Sequence, residues 1–248
     1  MGQTTGVSWA NHTFNPWIGC AKVSEGCAYC YAESEAANRY KLVEWGRDAA
    51  RRLTSANNWK QPPKWNRFAV ASGTRPRVFC ASWADVFESG IPPEWRSQLF
   101  AVIERTPALV WMLLTKRIEN VLELVPPNWR EKFPEHVWIG ATVENQRRAD
   151  ERLPILAKIP AAVRFVSAEP LLESIDISGF LPSVQWVIVG GESGPTRRVM
   201  CPTWAQSVGR SAIAAGVPLF FKQFSALKSG DTRNGLFDDG EQWQQFPN

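Results

Sequence analysis

The sequence predicts an α/β protein whose mostly parallel sheet forms a partial or complete TIM-like (β/α) barrel. Continuous apolar runs alternate with helical segments along most of the 248 residues, and this alternation is typical of parallel strands covered by helices on both faces. Six or seven such units suit a barrel better than a small open sheet. Because the chain is 44% hydrophobic and 21% charged, one domain over residues 1–248 is expected.

Seven segments are predicted as strands, because each contains an apolar run that ends in polar residues. The first lies near the N-terminus and precedes three closely spaced cysteines. In chain order the segments are GVSWANHTFNPW, RVFCASWAD, ALVWMLLTKR, HVWIGATVEN, VRFVSAEPLL, VQWVIVGGESG and VPLFFKQF.

The segments between the strands have helical spacing, and prolines stand where several of them begin or end. They are IPPEWRSQLFAVIERT, IENVLELVPPNWREKF, QRRADERLPILAKI and PTWAQSVGRSAIAAG. A further helix is predicted from about Cys30 through YAESEAANRYKLVEW, because no proline or glycine interrupts it before Gly46. In the polar tail, Asp238, Asp239 and Gly240 are predicted to turn a short hairpin.

Polar residues follow the carboxyl ends of the predicted strands. They include Asp85, Lys116, Arg117, Thr142, Glu144, Ser167, Glu169, Gly190, Gly191, Glu192 and Lys222. Since these ends gather on one rim of a parallel barrel, we expect a shared polar ligand there. The alternative is that strand ends are polar because they reach solvent. No GxGxxG or P-loop sequence follows a strand, which disfavours a Rossmann dinucleotide site.

Three of the five cysteines, Cys20, Cys27 and Cys30, lie within eleven residues. Three thiolates can hold three irons of a [4Fe–4S] cluster and leave the fourth iron open to a ligand. A structural zinc site would need a fourth protein ligand. The candidates for it are Cys80, Cys201 and His12, with His136 the one other histidine. Reduced structural thiols are the third alternative, and Cys80, inside an apolar strand, is most simply a core residue.

The CAYC sequence with a third cysteine upstream resembles the radical S-adenosylmethionine (radical SAM) superfamily, in a variant form with six residues between Cys20 and Cys27. Further motifs, among them SWANHTFNPWIGC, RVFCASWADVF, WMLLTKR, VWIGATVENQ, FVSAEPLL and WVIVGGESGPTRR, look like a phage- and prophage-associated family of radical-SAM-like proteins without an assigned reaction. The resemblance implies that Cys20, Cys27 and Cys30 ligate a [4Fe–4S] cluster. S-adenosyl-L-methionine would bind its open iron and be cleaved to a 5′-deoxyadenosyl radical.

Other cofactor-binding candidates follow from the chemistry of S-adenosylmethionine. Asp85 or Glu144 would bind its amino group, and Lys116 or Arg117 would pair with its carboxylate. Glycines would let the backbone approach the adenine. The full set of candidates is Tyr29, Asp85, Lys116, Thr142, Glu144, Glu169, Gly190, Gly191 and Glu192. The alternative is an Arg–Glu network that only connects neighbouring strand ends.

A basic, tryptophan-containing segment interrupts the alternation at about 41–77. Between Arg39 and Arg77 there are ten Lys/Arg and two acidic residues, although the whole chain carries a net charge of only +4. Clustered cations neutralise phosphates, and unpaired bases stack on aromatic rings. The candidate nucleic-acid contacts are Arg47, Arg51, Arg52, Trp59, Lys60, Lys64, Trp65 and Arg67. The alternative is a solvated lid whose tryptophans pack onto the barrel.

The sequence therefore predicts a radical SAM enzyme that modifies or repairs a nucleic acid or nucleotide with electrons from an external donor. One alternative is a non-catalytic nucleic-acid-binding protein with structural zinc at the cysteines, and another is a radical SAM enzyme for a small metabolite or peptide. No apolar stretch reaches the length of about 18 residues that spans a bilayer. The N-terminus lacks the profile of a signal peptide, so a cytoplasmic location is expected.

Overall fold

The chain forms a seven-stranded main sheet and a separate two-stranded sheet in the computed structural model, which describes residues 5–227 and 243–247. The strands in chain order are β1 (His12–Thr13), β2 (Trp17–Ile18), β3 (Arg52–Leu53), β4 (Arg77–Cys80), β5 (Val110–Thr115), β6 (Val137–Thr142), β7 (Val163–Ala168), β8 (Trp186–Gly190) and β9 (Leu219–Gln223). The hairpin predicted at 238–240 lies outside the described residues.

The α-helices of the described residues range from a single turn to thirteen residues. They are α1 (Tyr31–Glu33), α2 (Ala56–Trp59), α3 (Gln61–Ser72), α4 (Pro93–Glu104), α5 (Val121–Leu124), α6 (Gln146–Leu156) and α7 (Pro202–Ala214). Short 3-10 helices lie at Glu25–Cys27, Ile118–Asn120, Pro127–Trp129 and Ser178–Ser183. In this described part of the chain, no helix combines the length and hydrophobicity that crossing a membrane requires.

The main sheet has the strand order β1-β4-β5-β6-β7-β8-β9. Strand β4 pairs in parallel with β1 and β5, and β8 pairs in parallel with β7 and β9. Each strand therefore lies beside the next main-sheet strand of the chain, which is the order that successive (β/α) units produce. The predicted fold class, an α/β partial TIM-like barrel, is confirmed, and all seven predicted strands are present.

The chain divides into two compact units. The first contains the chain up to Val23, Cys30–Ile139 and Pro160–Ala162, and the second contains Ser24–Tyr29, Gly140–Ile159 and the chain from Val163 onward. The cysteine loop contributes to both, because Cys20 and Cys30 belong to the first unit and Cys27 to the second.

The core of the first unit is built on β4 and β5. Val78, Cys80, Trp111, Met112 and Leu113 are fully buried, as expected for strands that are covered on both faces. Cys80 is thus the core residue that its apolar surroundings predicted. Helix α4 begins at Pro93. Proline is tolerated there because the amide of the first helical residue has no acceptor within the helix, so no hydrogen bond is lost.

The helix predicted after Cys30 begins where expected but ends early. Helix α1 starts at Tyr31 and continues as a π-helix over Ser34–Arg39. The backbone then leaves the helical path, and Lys41 has a positive φ of 50°. The wider π turn moves the following residues away from the α-helical register, so the segment up to Trp45 is not helical.

The basic segment at 41–77 forms β3, α2 and α3 within the first unit. Strand β3 pairs antiparallel with β2, which ties the segment to the chain just before the cysteine loop. Helix α3 ends at Gly73, whose φ of 64° is the left-handed conformation that commonly ends a helix. The segment is therefore an ordered part of the first unit.

In the second unit, β7, β8 and β9 pack a continuous apolar layer. Phe165, Trp186 and Phe220 are fully buried, and the ring of Trp186 contacts the other two. Gly140 on β6 makes room for this layer, since a Cβ there would lie 2.4 Å from the ring of Phe165. The glycine in VWIGATVEN therefore has a packing role.

Candidate cluster and cofactor site

The three clustered cysteines have the donor chemistry of an iron–sulfur site. None of Cys20, Cys27 and Cys30 takes part in a disulfide, and all three are partly exposed. Within residues 5–227 and 243–247, no group of three or more His, Cys, Asp or Glu side chains is arranged to hold a metal ion. The assignment of the cysteines as ligands therefore depends on their chemistry and on the loop that carries them.

Cys20 lies against a buried guanidinium in the first unit. The Nη1 group of Arg117 is 3.6 Å from the Cys20 sulfur, and its Nη2 group donates to the carbonyl of Ala21 at 2.8 Å. Arg117 lies two residues after the last residue of β5, so it links the cysteine loop to the carboxyl end of that strand. Hydrogen bonds to ligand sulfurs are one means by which proteins tune iron–sulfur clusters.

The buried carboxylate of Asp85 holds Arg117 in place. Its Oδ2 atom accepts from Arg117 Nη1 at 2.9 Å and from the amide of Lys116 at 3.2 Å. Its Oδ1 atom accepts from the Thr115 hydroxyl at 2.7 Å and from the amide of Phe87 at 3.0 Å. With both oxygens engaged by the protein, Asp85 acts on Cys20 through Arg117 and is a positioning residue.

A second buried carboxylate, Glu88, continues this network. It pairs with Arg51 at 2.7 Å and accepts from the amide of Ala21 at 3.2 Å. The side chain of Arg51 also packs against Gly19, where a Cβ would lie 2.9 Å from its Cδ atom. Glu88 was not among the predicted site residues. The one sequence feature that could have indicated it is its position three residues after Asp85.

Burial and, to a smaller extent, the carboxylate of Asp85 raise the pKa of the Cys20 thiol to about 12, although Arg117 acts in the opposite direction. Cys20 would hold a metal as the thiolate, because a coordinating thiol is deprotonated outright. The soft thiol donors and the adjacent guanidinium thus fit an iron–sulfur cluster.

Cys27 ends a one-turn 3-10 helix, Glu25–Cys27, in the second unit. The amide of Gly26 donates to Oε1 of Glu144 at 3.3 Å, and a Cβ at Gly26 would lie 3.1 Å from that carboxyl group. The other Glu144 oxygen pairs with Arg152 at 2.7 Å, and Glu144 is 0% exposed. Glu144 therefore positions the turn that carries Cys27.

Two arginines also support this turn. One contacts the side chain of Glu25, and the other contacts its backbone carbonyl. Arg148 pairs with the carboxylate of Glu25 at 3.0 Å. Arg198 donates to the carbonyl of Glu25 at 3.0 Å, lies over the ring of Tyr29 at 5.2 Å and pairs with Glu192. Glu192 is thus engaged with Arg198 and contributes to the support of this turn.

The Glu25 carboxyl gives this turn a pH dependence. The hydrogen bond from its own backbone amide, followed by that from Arg148, lowers the pKa of Glu25 from 4.5 to about 2. A lowered folded-state pKa contributes stability above pH 4.5 that is lost as pH falls toward 2. We expect the difference in urea midpoint between wild type and Glu25→Gln to be largest near pH 6 and to shrink steadily below pH 4.5.

The matched variant for this measurement is Arg148→Gln, which keeps the carboxyl but removes its side-chain donor. It should weaken the same acid dependence without abolishing it. A difference between wild type and Glu25→Gln that stays constant from pH 6 to 3 would show that the pKa of Glu25 is not lowered by folding.

The remaining candidates in the second unit lie near the ends of β7, β8 and β9. Glu169 forms an ion pair with Lys222, and Gly190 lies beside both, since a Cβ there would be 3.3 Å from Lys222 and 3.5 Å from Glu169. Gly191 is needed for packing, because its Cβ would lie 2.5 Å from the Ser225 hydroxyl. Glu169 and Lys222 therefore form a charged pair, and Gly190 beside them has no side chain.

Two further candidates at the strand ends are fully buried. The carbonyl of Thr142 accepts from Arg152 at 2.8 Å. Ser167 lies near the carboxyl end of β7, and among the described residues its hydroxyl has no hydrogen-bond partner. A buried hydroxyl without a partner is disfavoured, so Ser167 is available to a bound ligand.

The basic-segment candidates separate into buried and exposed groups. The Arg51 side chain is engaged with Glu88, and Trp59 is buried with its ring edge-on to Phe14. Trp65 is half-buried and stacks on His12 with ring centroids 4.3 Å apart. Exposed side chains remain at Arg47, Arg52, Lys60, Lys64 and Arg67.

The candidates for a fourth zinc ligand occupy separate local environments. Cys80 is fully buried in β4, and His12 is engaged with Trp65. The Nε2 group of His136 donates to the carbonyl of Ile103 at 3.0 Å. Cys201 precedes α7 and lies 3.1 Å from the Thr203 hydroxyl. These local contacts do not include the clustered cysteines.

The fold and the cysteine loop define an α/β protein of the partial TIM-like barrel class with three cysteines after its first strands. The chain belongs to the family described as "Protein of unknown function (DUF5131)", whose model matches residues 4–247. No curated protein matches the chain.

One solved structure with a similar fold is a spore photoproduct lyase mutant with bound AdoMet and dinucleoside spore photoproduct, at 13% sequence identity and a TM-score of 0.48. The match covers 88% of this chain and 57% of that chain, so this chain spans little more than half the length of that protein. A likeness of this degree says nothing about the reaction of this chain.

Proposed function

We propose that this protein is a radical SAM enzyme in which Cys20, Cys27 and Cys30 hold a [4Fe–4S] cluster. The observation that carries the proposal is the contact between the Cys20 sulfur and the buried guanidinium of Arg117 at the end of β5. The contact joins a cluster-type cysteine loop to the strand ends, where parallel α/β folds bind ligands. When bound, the cluster would supply the electron that cleaves S-adenosylmethionine to a 5′-deoxyadenosyl radical.

The ionisable groups of the protein divide into supporting and ligand-binding roles. Asp85 and Glu144 are engaged by arginines and backbone amides, so they fix the cysteine loop. Glu169 and Lys222 are a half-buried pair of opposite charges. Such a pair is complementary to the amino and carboxylate groups of S-adenosylmethionine, and we assign it that role.

The proposed substrate is a nucleic acid or nucleotide, and an external donor supplies the electron. Support comes from the basic segment, where Lys60, Lys64 and Arg67 keep exposed cationic side chains. Cations in this density attract phosphates without regard to sequence. A small metabolite or peptide would not need such a surface.

Anaerobic reconstitution with iron, sulfide and a reductant tests this function. We expect about four irons and four sulfides per chain, a broad visible absorbance and release of 5′-deoxyadenosine from S-adenosylmethionine. Anaerobically purified protein that contains about one zinc and no sulfide would instead establish the structural-zinc alternative. A full cluster without release of 5′-deoxyadenosine, with or without nucleic acid, would exclude the radical reaction.

A further inference from the structure

Helix α3 presents an exposed face made of two cations, an aromatic ring and a small residue. Lys64, Arg67, Phe68 and Ala71 are all exposed. At about 100° per residue, they lie within an arc of about 100° around the helix. The buried residues Pro62 and Ala69 lie on the opposite side. The face is therefore a continuous surface on the outer side of a helix that is anchored by its inner side.

Phe68 is the most exposed aromatic residue of this face. Its side chain is 71% exposed, whereas the tryptophans of the same segment are buried or half-buried. Lys64 lies one turn before it, and Arg67 is its direct neighbour. A large aromatic ring kept in water on the same helix face as two cations is typical of a binding surface.

The part of the sequence that contains this face carries positive charges only. No aspartate or glutamate occurs from residue 49 to residue 84, although this stretch carries seven Lys/Arg. Lys60, directly before α3, and Arg75, shortly after it, are both exposed. The partner of this surface must therefore be anionic and must also provide flat apolar area for Phe68.

We propose that this face, together with Lys60 directly before α3, binds single-stranded nucleic acid. Its cations contact successive phosphates, and an unpaired base stacks on the ring of Phe68. The inference rests on the proposed function for its assumption that the substrate is a nucleic acid. It adds the surface, the stacking residue and the requirement for an unpaired strand.

Single strands are favoured over duplexes because of Phe68. A phenylalanine ring has no hydrogen-bonding atoms and cannot read a base edge, but it can stack on any base whose face is free. Bases within a duplex are already stacked on their neighbours. A purely electrostatic surface would bind duplex DNA at least as well, because the duplex has the higher charge density.

The test measures binding of the full-length chain to a fluorescent mixed-sequence 20-mer, as a single strand and as a duplex, by anisotropy. We expect Phe68→Ala to weaken single-strand binding by about 5- to 150-fold, since stacking contributes about 1–3 kcal/mol per base. The Lys64→Gln/Arg67→Gln double variant should reduce the salt slope by about 1.4, which is two phosphates at about 0.7 each.

Two matched variants complete the test. Val70→Ala changes an equally exposed apolar residue of α3, 67% exposed and outside the proposed arc, and should leave binding unchanged. Phe68→Tyr keeps an aromatic ring and should retain most of the affinity. Because all these side chains are exposed, each variant should unfold at the wild-type urea concentration.

Unchanged single-strand affinity of Phe68→Ala would overturn the proposal, as would an equal loss for duplex binding. Binding to anionic phospholipid vesicles or an acidic peptide in preference to the single strand would overturn it as well. Binding and release of 5′-deoxyadenosine are separate measurements. If the strand fails to bind while the cluster cleaves S-adenosylmethionine, only this inference fails; if binding succeeds without cleavage, only the radical chemistry fails.

Discussion

Replacing Cys27 by serine is expected to abolish the [4Fe–4S] cluster and, with it, formation of 5′-deoxyadenosine. A serine hydroxyl remains protonated at neutral pH and is a poor ligand for the soft irons of the cluster. Iron should fall from about four per reconstituted chain to less than one, and product formation should fall at least about 1,000-fold, to the background. Iron and sulfide analysis with single-turnover product measurement checks this.

The matched control for Cys27→Ser is Cys201→Ser. Cys201 is also partly exposed and outside any disulfide, but it lies before α7 and contacts the Thr203 hydroxyl. Its serine variant should keep wild-type iron and activity. Retention of about four irons by Cys27→Ser would remove this residue from the ligand set. Loss of zinc instead of iron would support the structural-zinc alternative.

The strands were predictable because their signal is local. Runs such as VWMLL and WVIVG are apolar on both faces, and β5 and β8 are buried on both faces as a result. The helix after Cys30 was predicted too long because its sequence has good helix formers up to Trp45. The π turn at Ser34–Arg39 is a backbone shift that composition does not show.

For the candidate site, the sequence predicted only which residue types lie at the strand ends. Asp85 and Glu144 were correctly placed after β4 and β6, yet the sequence does not show which donors they meet. In the structure Asp85 faces Arg117, and Glu144 faces Arg152, eight residues away on α6. Both contacts depend on tertiary packing, so the sequence alone does not reveal that these carboxylates support the cysteine loop.

The basic segment shows the same limit for aromatic residues. Trp59 was predicted as a nucleic-acid contact and Phe68 was not, because the sequence does not show which of the two rings is buried. Trp59 packs on Phe14 in the core of the first unit, whereas Phe68 lies on the outer face of α3. The rotational position of a helix depends on which residues it buries, and Pro62 and Ala69 fix it here.

Replacing Arg152 by methionine is expected to destabilise the protein by about 3–5 kcal/mol. Methionine fills similar space but leaves the Glu144 carboxylate, which is 0% exposed, without its ion-pair partner. Removing one partner of a buried ion pair leaves the other charge in an environment that solvates it poorly. Urea unfolding of the cluster-free protein measures the change, and the amide of Gly26, held by Glu144, should exchange its hydrogen faster.

A double-variant cycle separates this charge effect from lost packing. Glu144→Gln keeps a carbonyl for the Gly26 amide, so Arg152→Met/Glu144→Gln should recover to within about 1–2 kcal/mol of wild type, because no buried charge remains. Arg147→Met removes an exposed partner of Glu151 and should change stability by less than about 0.5 kcal/mol. If Arg152→Met were equally mild, Glu144 would not be a buried anion, and its contact with the Gly26 amide would not depend on the ion pair.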